Sequence, residues 1–106
     1  MKESIFVKFN NFYQRINVVD INWIMSEGNY VTIYVGEKKY AIKWSLTQIK
    51  NELPADDFIQ IHKRYIINID KVERLNLANN QITIADTPLP IGRTFKSDLI
   101  ERLNLL

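Results

Sequence analysis

The sequence predicts a mainly β domain of many short antiparallel strands, with one internal helix and one C-terminal helix. Most segments are rich in β-branched and aromatic residues, which favour strands. Only three glycines and three prolines interrupt these segments, so the connecting loops are expected to be short. Two segments instead carry apolar residues at helical spacing. At 106 residues the chain has room for one core, so we expect a single domain over residues 1–106.

The first half of the chain predicts strands that are joined by tight turns. Asn10 and Asn11 tolerate positive φ and suit a hairpin turn, and residues 27–29, Glu-Gly-Asn, give a second hairpin signal. Gly36 and Glu37 provide a further turn. The predicted strands in this half are Ile5–Phe9, Phe12–Val18, Asn22–Ser26, Tyr30–Val35 and Lys38–Lys43.

Both helices have sequence signals at their ends. Ser45 and Gln48 form an S-x-x-Q capping box that begins the internal helix, and Pro54 ends it. Thr94 can cap the final helix. The apolar faces consist of Leu46, Ile49 and Leu53 in the internal helix and of Phe95, Leu99 and Leu103 in the final one.

The second half predicts shorter strands, the last of which lies at an edge. Asn79 and Asn80 form one turn, and residues 86–88, Asp-Thr-Pro, form another. Pro88 and Pro90 cannot donate ladder hydrogen bonds, which restricts the last strand to an edge or to a position outside the ladder. The predicted strands in this half are Phe58–Ile61, Tyr65–Asn68, Val72–Leu77, Gln81–Ile84 and Leu89–Ile91.

Aromatic residues divide into an expected core set and an amphipathic pair. Tyr30 and Tyr34 lie opposite Val31 and Ile33 on their strand. This pair either covers a second small core, which we favour, or stacks on the bases of single-stranded nucleic acid. The aromatic residues expected in the core are Trp23, Trp44, Phe58, Tyr65 and Phe95.

Basic residues are clustered, although the formal net charge is only +2. His62, Lys63 and Arg64 are consecutive between two strand-like runs, which would hold two positive charges and an imidazole at one point. Arg93 follows Gly92 and directly precedes the predicted helix cap, so it can reach outward from a fixed base. Such patches suit a polyanionic partner, and arginine can bind guanine through O6 and N7. The alternative is a solvated surface of mixed charge.

The composition excludes several kinds of site. With one histidine and no cysteine, neither a histidine cluster nor a cysteine-ligated zinc site can form, and no glycine-rich phosphate loop occurs. Asp56 and Asp57 are expected in a solvated turn after the helix. We therefore expect no catalytic residues, no metal and no cofactor, so that the chain is not an enzyme. The apolar runs are far shorter than the ~20 residues of a membrane span, so we expect a cytoplasmic protein without membrane contact by this segment.

Three segments occur in a characteristic order along the chain. They are residues 24–31, IMSEGNYV, residues 58–68, FIQIHKRYIIN, and residues 90–93, PIGR, directly before the terminal helix. In this order they resemble the LytTR family of bacterial DNA-binding domains, and the resemblance extends from about Ile5 to Leu103. It implies an elongated stack of small antiparallel β-sheets that binds DNA through loops inserted into successive major grooves.

The resemblance also implies a role for individual residues. By position, Asn29, Lys63 and Arg93 would contact bases. The positions that would make phosphate or supporting contacts are Lys43, His62, Arg64 and Lys96. Asparagine can pair with adenine, and lysine and arginine with guanine, so the residue types suit these roles.

The family implies sequence-specific binding of double-stranded DNA by a bacterial transcriptional regulator, as the output domain of a two-component response regulator in a phosphorelay. Residues 1–106 would then be the C-terminal part of a longer regulator that carries a receiver or sensor domain. Direct repeats in a promoter would bring two copies together as a dimer on DNA.

Three different functions compete with DNA-duplex binding. The main one is a β-rich protein-interaction module that pairs through an exposed edge such as Leu89–Ile91. Binding of single-stranded nucleic acid, through Tyr30 and Tyr34, is a second hypothesis, and a small enzyme is a third. The first predicts binding that depends only weakly on salt, and the second predicts no preference for a duplex.

Overall fold

The computed structural model describes residues 3–106 and has an elongated, mainly β architecture that measures 45 × 27 × 24 Å along its principal axes. Within these residues, ten strands form three antiparallel sheets, accompanied by two α-helices and three 3-10 turns. The predicted fold class, a stack of small antiparallel sheets with an internal and a C-terminal helix, is confirmed. The strands are β1 Ser4–Phe9, β2 Phe12–Asn17, β3 Ile21–Glu27, β4 Tyr30–Val35, β5 Lys38–Ile42, β6 Phe58–His62, β7 Tyr65–Asn68, β8 Arg74–Asn76, β9 Gln81–Ile84 and β10 Thr87–Pro90. The helices are α1 Leu46–Lys50 and α2 Lys96–Arg102, and the 3-10 turns are Val18–Asp20, Ile69–Lys71 and Arg93–Phe95.

A central sheet determines where the connecting turns lie. In the described chain, this sheet has five strands in the order β5-β4-β3-β7-β6, flanked by the β1-β2 hairpin and the three-stranded sheet β10-β9-β8. Met25 at the end of β3 pairs with Tyr65 at the start of β7. Val31 at the start of β4 pairs with Ile42 at the end of β5. Because these pairings are antiparallel, the β3–β4 turn, the β6–β7 turn and the end of β5 lie at the same end of the sheet.

The predicted hairpin turns form where the residue types allow positive φ. Gly28 has a φ of +60° in the two-residue turn between Glu27 and Tyr30, a backbone conformation that glycine adopts without a steric cost. Asn10 has a φ of 57° in the β1–β2 turn. Both hairpins that these residues predict are therefore confirmed.

Two apolar clusters stabilise the sheets. The first lies between the hairpin, the central sheet and α1, and includes Ile24, Ile33 and Ile49. The second lies between the opposite face of the central sheet, the three-stranded sheet and α2, since its members alternate with those of the first along β3, β4 and β7. In that second cluster, Tyr34 stacks on Trp23 with ring centroids 4.5 Å apart. The interpretation that the tyrosine pair covers a second small core is confirmed for Tyr34 and wrong for Tyr30, which is 50% exposed.

The two helices differ in how well their sequence signals predict their starts. The capping box of α1 is present: the Gln48 N–H donates to Ser45 Oγ at 3.1 Å, and the Ser45 N–H donates to Gln48 Oε1 at 2.9 Å. The prediction that Thr94 caps the final helix is wrong. Thr94 lies inside the Arg93–Phe95 3-10 turn, where the Phe95 N–H donates to the Gly92 carbonyl at 3.0 Å, and α2 begins only at Lys96.

Two further predictions are corrected by the structure. The turn expected at residues 86–88 lies instead at Ala85 and Asp86, which both have positive φ, so that Thr87 and Pro88 belong to β10. The core position expected for Trp44 is wrong, since its exposed fraction is 37% in the loop before α1. The edge position of the last strand is confirmed, since β10 pairs only with β9 in the described sheet.

One buried side chain joins the end of β7 to the start of β3 and to the 3-10 turn that precedes β3. Asn68 is 3% exposed, and its Nδ2 donates to the Ile21 carbonyl at 2.9 Å and to the Val19 carbonyl at 3.5 Å. Its Oδ1 accepts the Asp70 N–H at 3.0 Å and so caps the Ile69–Lys71 turn. The amide thus satisfies backbone groups on two segments that are remote in sequence.

Replacement of Asn68 by alanine is expected to destabilise the domain by about 1–3 kcal/mol, because buried backbone groups lose their partners. Urea unfolding followed by far-UV circular dichroism measures this change. Asn104→Ala is the matched control, since Asn104 is exposed beyond α2, and it should change the free energy of unfolding by less than about 0.5 kcal/mol. Equal effects of the two substitutions would contradict this account of Asn68.

Candidate nucleic-acid interface

The β3–β4 turn and the β6–β7 turn are joined by reciprocal hydrogen bonds. The Ser26 N–H donates to the Arg64 carbonyl at 2.8 Å, and Arg64 Nε donates to the Ser26 carbonyl at 2.9 Å. Asn29 and Lys63 are both exposed, and each lies in one of these turns. Two of the three residues that are predicted to contact bases are therefore carried by neighbouring turns at one end of the central sheet.

The third predicted residue, Arg93, is carried by a segment that is bonded to the same end of the sheet. The Gly92 N–H donates to the Ile61 carbonyl at 2.7 Å, one residue before His62 at the end of β6. Arg93 follows directly and is exposed. The structure thus links the segments that carry Asn29, Lys63 and Arg93 through short backbone contacts.

Gly92 is a glycine because of close packing and not because of a turn conformation. Its φ is −73°, which any residue can adopt. A Cβ at this position would lie 3.0 Å from Cδ2 of Phe95 and 3.4 Å from the Cα of His62. The missing side chain allows the Arg93 segment to approach β6 closely.

Hydrogen bonds between residues of the β6–β7 turn and of β6 fix the conformation of this turn. His62 Nδ1 accepts the Arg64 N–H at 3.0 Å, and the ring of His62 packs edge-on against Tyr65. Gln60 Nε2 donates to the carbonyls of His62 at 3.1 Å and Lys63 at 3.4 Å. The register of β6 shifts between Gln60 and His62, as at a β-bulge, which alters the direction of the following side chains.

Lys43 lies near Asn29 at the end of β5. A shallow depression connects the two, and its lining residues are Gly28, Asn29, Lys43, Trp44, Ser45 and Gln48. Trp44 is exposed, and Lys43 is exposed beside it. The depression therefore combines an amide, an ammonium and an indole beside the β3–β4 turn.

Two of the predicted supporting cations make contacts within the protein. Arg64 bonds to the Ser26 carbonyl, and its Nη2 lies 3.9 Å from Glu27 Oε2 in a solvent-exposed pair, which contributes little to stability. Lys96 Nζ donates to the Leu77 carbonyl at 3.1 Å and to Asn80 Oδ1 at 2.7 Å. Lys96 thus connects α2 to the β8–β9 turn, whereas Lys43 and Lys63 lie exposed.

Sequence reasoning missed Gln60 as a residue that positions the β6–β7 turn. Its residue type carries no signal, because a glutamine on a strand is usually a solvent-facing position. Its half-buried location and its two carbonyl partners become visible only when β6 is paired with β7. The contact of Gly92 with Phe95 and His62 depends on the packing of the terminal segment and could not be predicted from the sequence either.

Several observations bear on the competing functions. The ring of Tyr34 is occupied by Trp23, so only Tyr30 of the predicted stacking pair remains exposed. β10 has Pro88 and Pro90 at the positions whose N–H groups would point away from β9, which weakens it as an edge for pairing.

Among residues 3–106, no cluster of three or more potential metal ligands occurs. The same residues contain no helix with the length and apolar character that crossing a membrane requires.

The chain is similar in sequence to two sensory transduction proteins. The sensory transduction protein LytT of Bacillus subtilis strain 168 is 23% identical over 94 residues, which are 85% of this chain and 39% of that protein. LytT of Enterococcus faecalis is 28% identical over 90 residues, which are 81% of this chain and 37% of that protein. The chain therefore spans about two fifths of the length of these curated relatives.

A solved structure has the same fold as this chain, and a family model matches most of its length. A solved LytTr DNA-binding domain of a methyl-accepting/DNA response regulator from Bacillus cereus superposes with a TM-score of 0.86. It covers 99% of this chain and 100% of that chain at 16% identity, which establishes a common fold. The family model of the LytTr DNA-binding domain matches residues 13–104, nearly the whole of the described chain. The chain is therefore a member of the LytTR family of DNA-binding domains.

Proposed function

We propose that this domain binds double-stranded DNA sequence-specifically, with Asn29, Lys63 and Arg93 contacting base edges. The observation that supports this proposal is the linkage of three exposed segments at one end of the central sheet. Reciprocal hydrogen bonds join Arg64 to Ser26, and the Gly92 N–H bonds to the end of β6. Rigid turns on a β scaffold position such side chains accurately, because little conformational freedom is lost on binding.

The residue types suit direct contacts in a major groove. Arg93 and Lys63 can donate to O6 and N7 of guanine, and Asn29 can pair with N6 and N7 of adenine. Insertion of these loops into successive major grooves on one side of the duplex would favour bending of the DNA toward the protein.

The remaining cations are proposed to contact the backbone or to support those contacts. Lys43 lies beside the β3–β4 turn, and His62 and Arg64 shape the β6–β7 turn. Lys96 uses two of its donors to connect α2 to the β8–β9 turn, so its role in binding is supporting. Phosphate contacts of this kind supply affinity that is independent of sequence and depends on salt.

We further propose that residues 1–106 form a single domain that acts as the output domain of a longer transcriptional regulator. The matched relatives are named sensory transduction proteins, and the chain spans only about two fifths of their length. In such a regulator, a receiver or sensor domain would control the DNA-binding domain by a phosphorelay in the cytoplasm. Direct repeats in a promoter would bring two copies onto one duplex. No enzymatic activity is proposed for this domain.

Selection of duplexes from a random pool, carried out at two salt concentrations, tests this function. Binding by three turns predicts that a defined motif is enriched and that the affinity falls steeply with salt. A module that binds only proteins would enrich no motif, and a single-strand binder would prefer the denatured pool. Either of these results would refute the proposal.

Arg93→Ala is expected to weaken binding to the selected duplex by about 1–3 kcal/mol and to relax the preference at one base pair. The reason is the loss of a guanidinium that pairs with a base edge. Fluorescence anisotropy with the selected duplex and its single-base variants measures both effects. Arg74→Ala is the matched control, because it also removes an exposed arginine but lies on β8. Unchanged specific binding by Arg93→Ala would show that the site assignment is wrong.

Lys43→Ala is expected to weaken binding to all duplexes alike and to reduce the slope of log affinity against log salt by about one unit. A phosphate contact carries no sequence information, so the preference among bases should be preserved. Titrations of the selected and a scrambled duplex at several salt concentrations measure the slope. Lys71→Ala serves as the control, since Lys71 follows β7 at the end of the sheet opposite the turns. A loss confined to the selected duplex would instead assign Lys43 to base contact.

A further inference from the structure

The outer face of the β1–β2 hairpin exposes aromatic and basic side chains together. Phe6 pairs with Arg15 and Lys8 pairs with Tyr13, so these four side chains lie on the same face. Phe6 is 55% exposed and Tyr13 is 66% exposed, which is unusual for aromatic residues of a small domain. We call this surface the outer hairpin face, and its residues are Ser4, Phe6, Lys8, Tyr13, Arg15 and Asn17.

Arg15 is held in place on this face. Its guanidinium lies over the ring of Phe6 at 4.7 Å from the centroid, and its Nη1 donates to Ser4 Oγ at 2.8 Å. A guanidinium has five N–H donors, and the contact with Ser4 uses one of them. Since the side chain is already oriented, a phosphate can bind to it with a smaller loss of rotamer freedom.

The charge of the face indicates the kind of partner. Lys8 and Arg15 are the charged members of its six residues, so the outer hairpin face carries positive charge without an acid. Cations clustered on one face are typical of surfaces that bind nucleic-acid phosphates. A protein partner of this face would instead need an acidic and apolar surface of complementary shape.

The outer hairpin face continues into the proposed DNA interface. Trp44 lines the depression that contains Asn29 and Lys43, and it also lines a groove of about 340 Å³ between β1 and α1. Phe6 lines that same groove. A contiguous surface therefore connects the β3–β4 turn to the outer hairpin face through Trp44. Among the described residues that line the groove, Glu52 is the acidic one. Glu52 lies after α1, whereas Trp44 lies before α1.

We infer that the outer hairpin face binds the sugar–phosphate backbone of the duplex beyond the bases that the three turns contact. Lys8 and Arg15 bind phosphates, and the rings of Phe6 and Tyr13 pack against sugars. The inference rests on the proposed DNA binding and extends its footprint to one flank of the site. The family match begins at residue 13, so β1 contributes residues outside the matched region.

The test compares the wild type with the double variant Lys8→Gln/Arg15→Gln on two duplexes. One is a duplex selected by the wild type and trimmed to the enriched motif, and the other carries about ten additional base pairs on each side. On the extended duplex, the salt slope of the double variant should be shallower by about 1.8 units, since each lost phosphate contact removes about 0.9. Its affinity relative to wild type should therefore change about tenfold between roughly 50 and 200 mM salt. On the trimmed duplex, the two proteins should bind alike.

Control variants separate charge from structure. Arg15→Lys keeps the charge and should keep the slope on the extended duplex, and Lys8→Gln alone should remove about 0.9 units without affecting the contacts of Arg15. Lys71→Gln makes the same change of charge at the opposite end of the central sheet and should leave the slope unchanged. Thermal unfolding of every variant confirms that a change in binding does not result from loss of the fold.

The outcomes distinguish this inference from the proposed function. If the double variant has the wild-type slope on the extended duplex while the wild type still selects a motif, the hairpin inference alone is refuted. If the wild type selects no duplex, the proposed function fails and the inference fails with it. A double variant that changes the oligomeric state in sedimentation, with an unchanged salt slope, would assign this face to a protein partner and would also refute the inference.

Discussion

The hydrogen bonds between Arg64 and Ser26 are the constraint on which the candidate interface depends. These two residues are 38 positions apart in the sequence, and the strand ends that carry them must meet for the two turns to act together. The backbone pair Ser26 N–H to Arg64 carbonyl extends the β3–β7 ladder by one step, and the side chain of Arg64 returns to the Ser26 carbonyl. The turn that carries Lys63 is thereby fixed beside the turn that carries Asn29. A flexible loop at either position would have to lose its conformational entropy on every binding event.

The cations of the domain divide into those that maintain the scaffold and those that remain available to a ligand. Arg64 and Lys96 each bond to the backbone carbonyl of another segment and so connect parts of the scaffold. Lys43, Lys63 and Arg93 are exposed near the ends of strands. Clustering of basic residues in a sequence therefore does not distinguish cations that support the scaffold from cations that are exposed to a ligand.

Local signals predicted the parts of the fold whose conformation is determined within a few residues. The Asn10 and Gly28 turns and the Ser45–Gln48 capping box depend on backbone dihedrals and on contacts three residues apart, and all were predicted correctly. The errors occur where packing overrides the preference of a residue type. Thr94 is a good cap residue by type, but packing of Phe95 against Gly92 imposes a 3-10 turn and delays the helix. Trp44 is apolar by type, yet the path of the chain into α1 leaves it exposed. The linkage of the three candidate segments was expected from the family resemblance, whereas the role of Gln60 depends on strand register and could not be predicted.

Nonspecific attraction and sequence discrimination depend on different contacts. Nonspecific attraction grows with the number of phosphates that are neutralised, and it is the same for every sequence. Discrimination must then come from base contacts whose geometry is fixed before binding, because only these favour one sequence over another. Contacts made by Gln60, His62 and Gly92 fix the geometry of the segments that carry Lys63 and Arg93. In the proposed binding mode, specificity therefore depends on the packing behind the turns as well as on the residues that the turns expose.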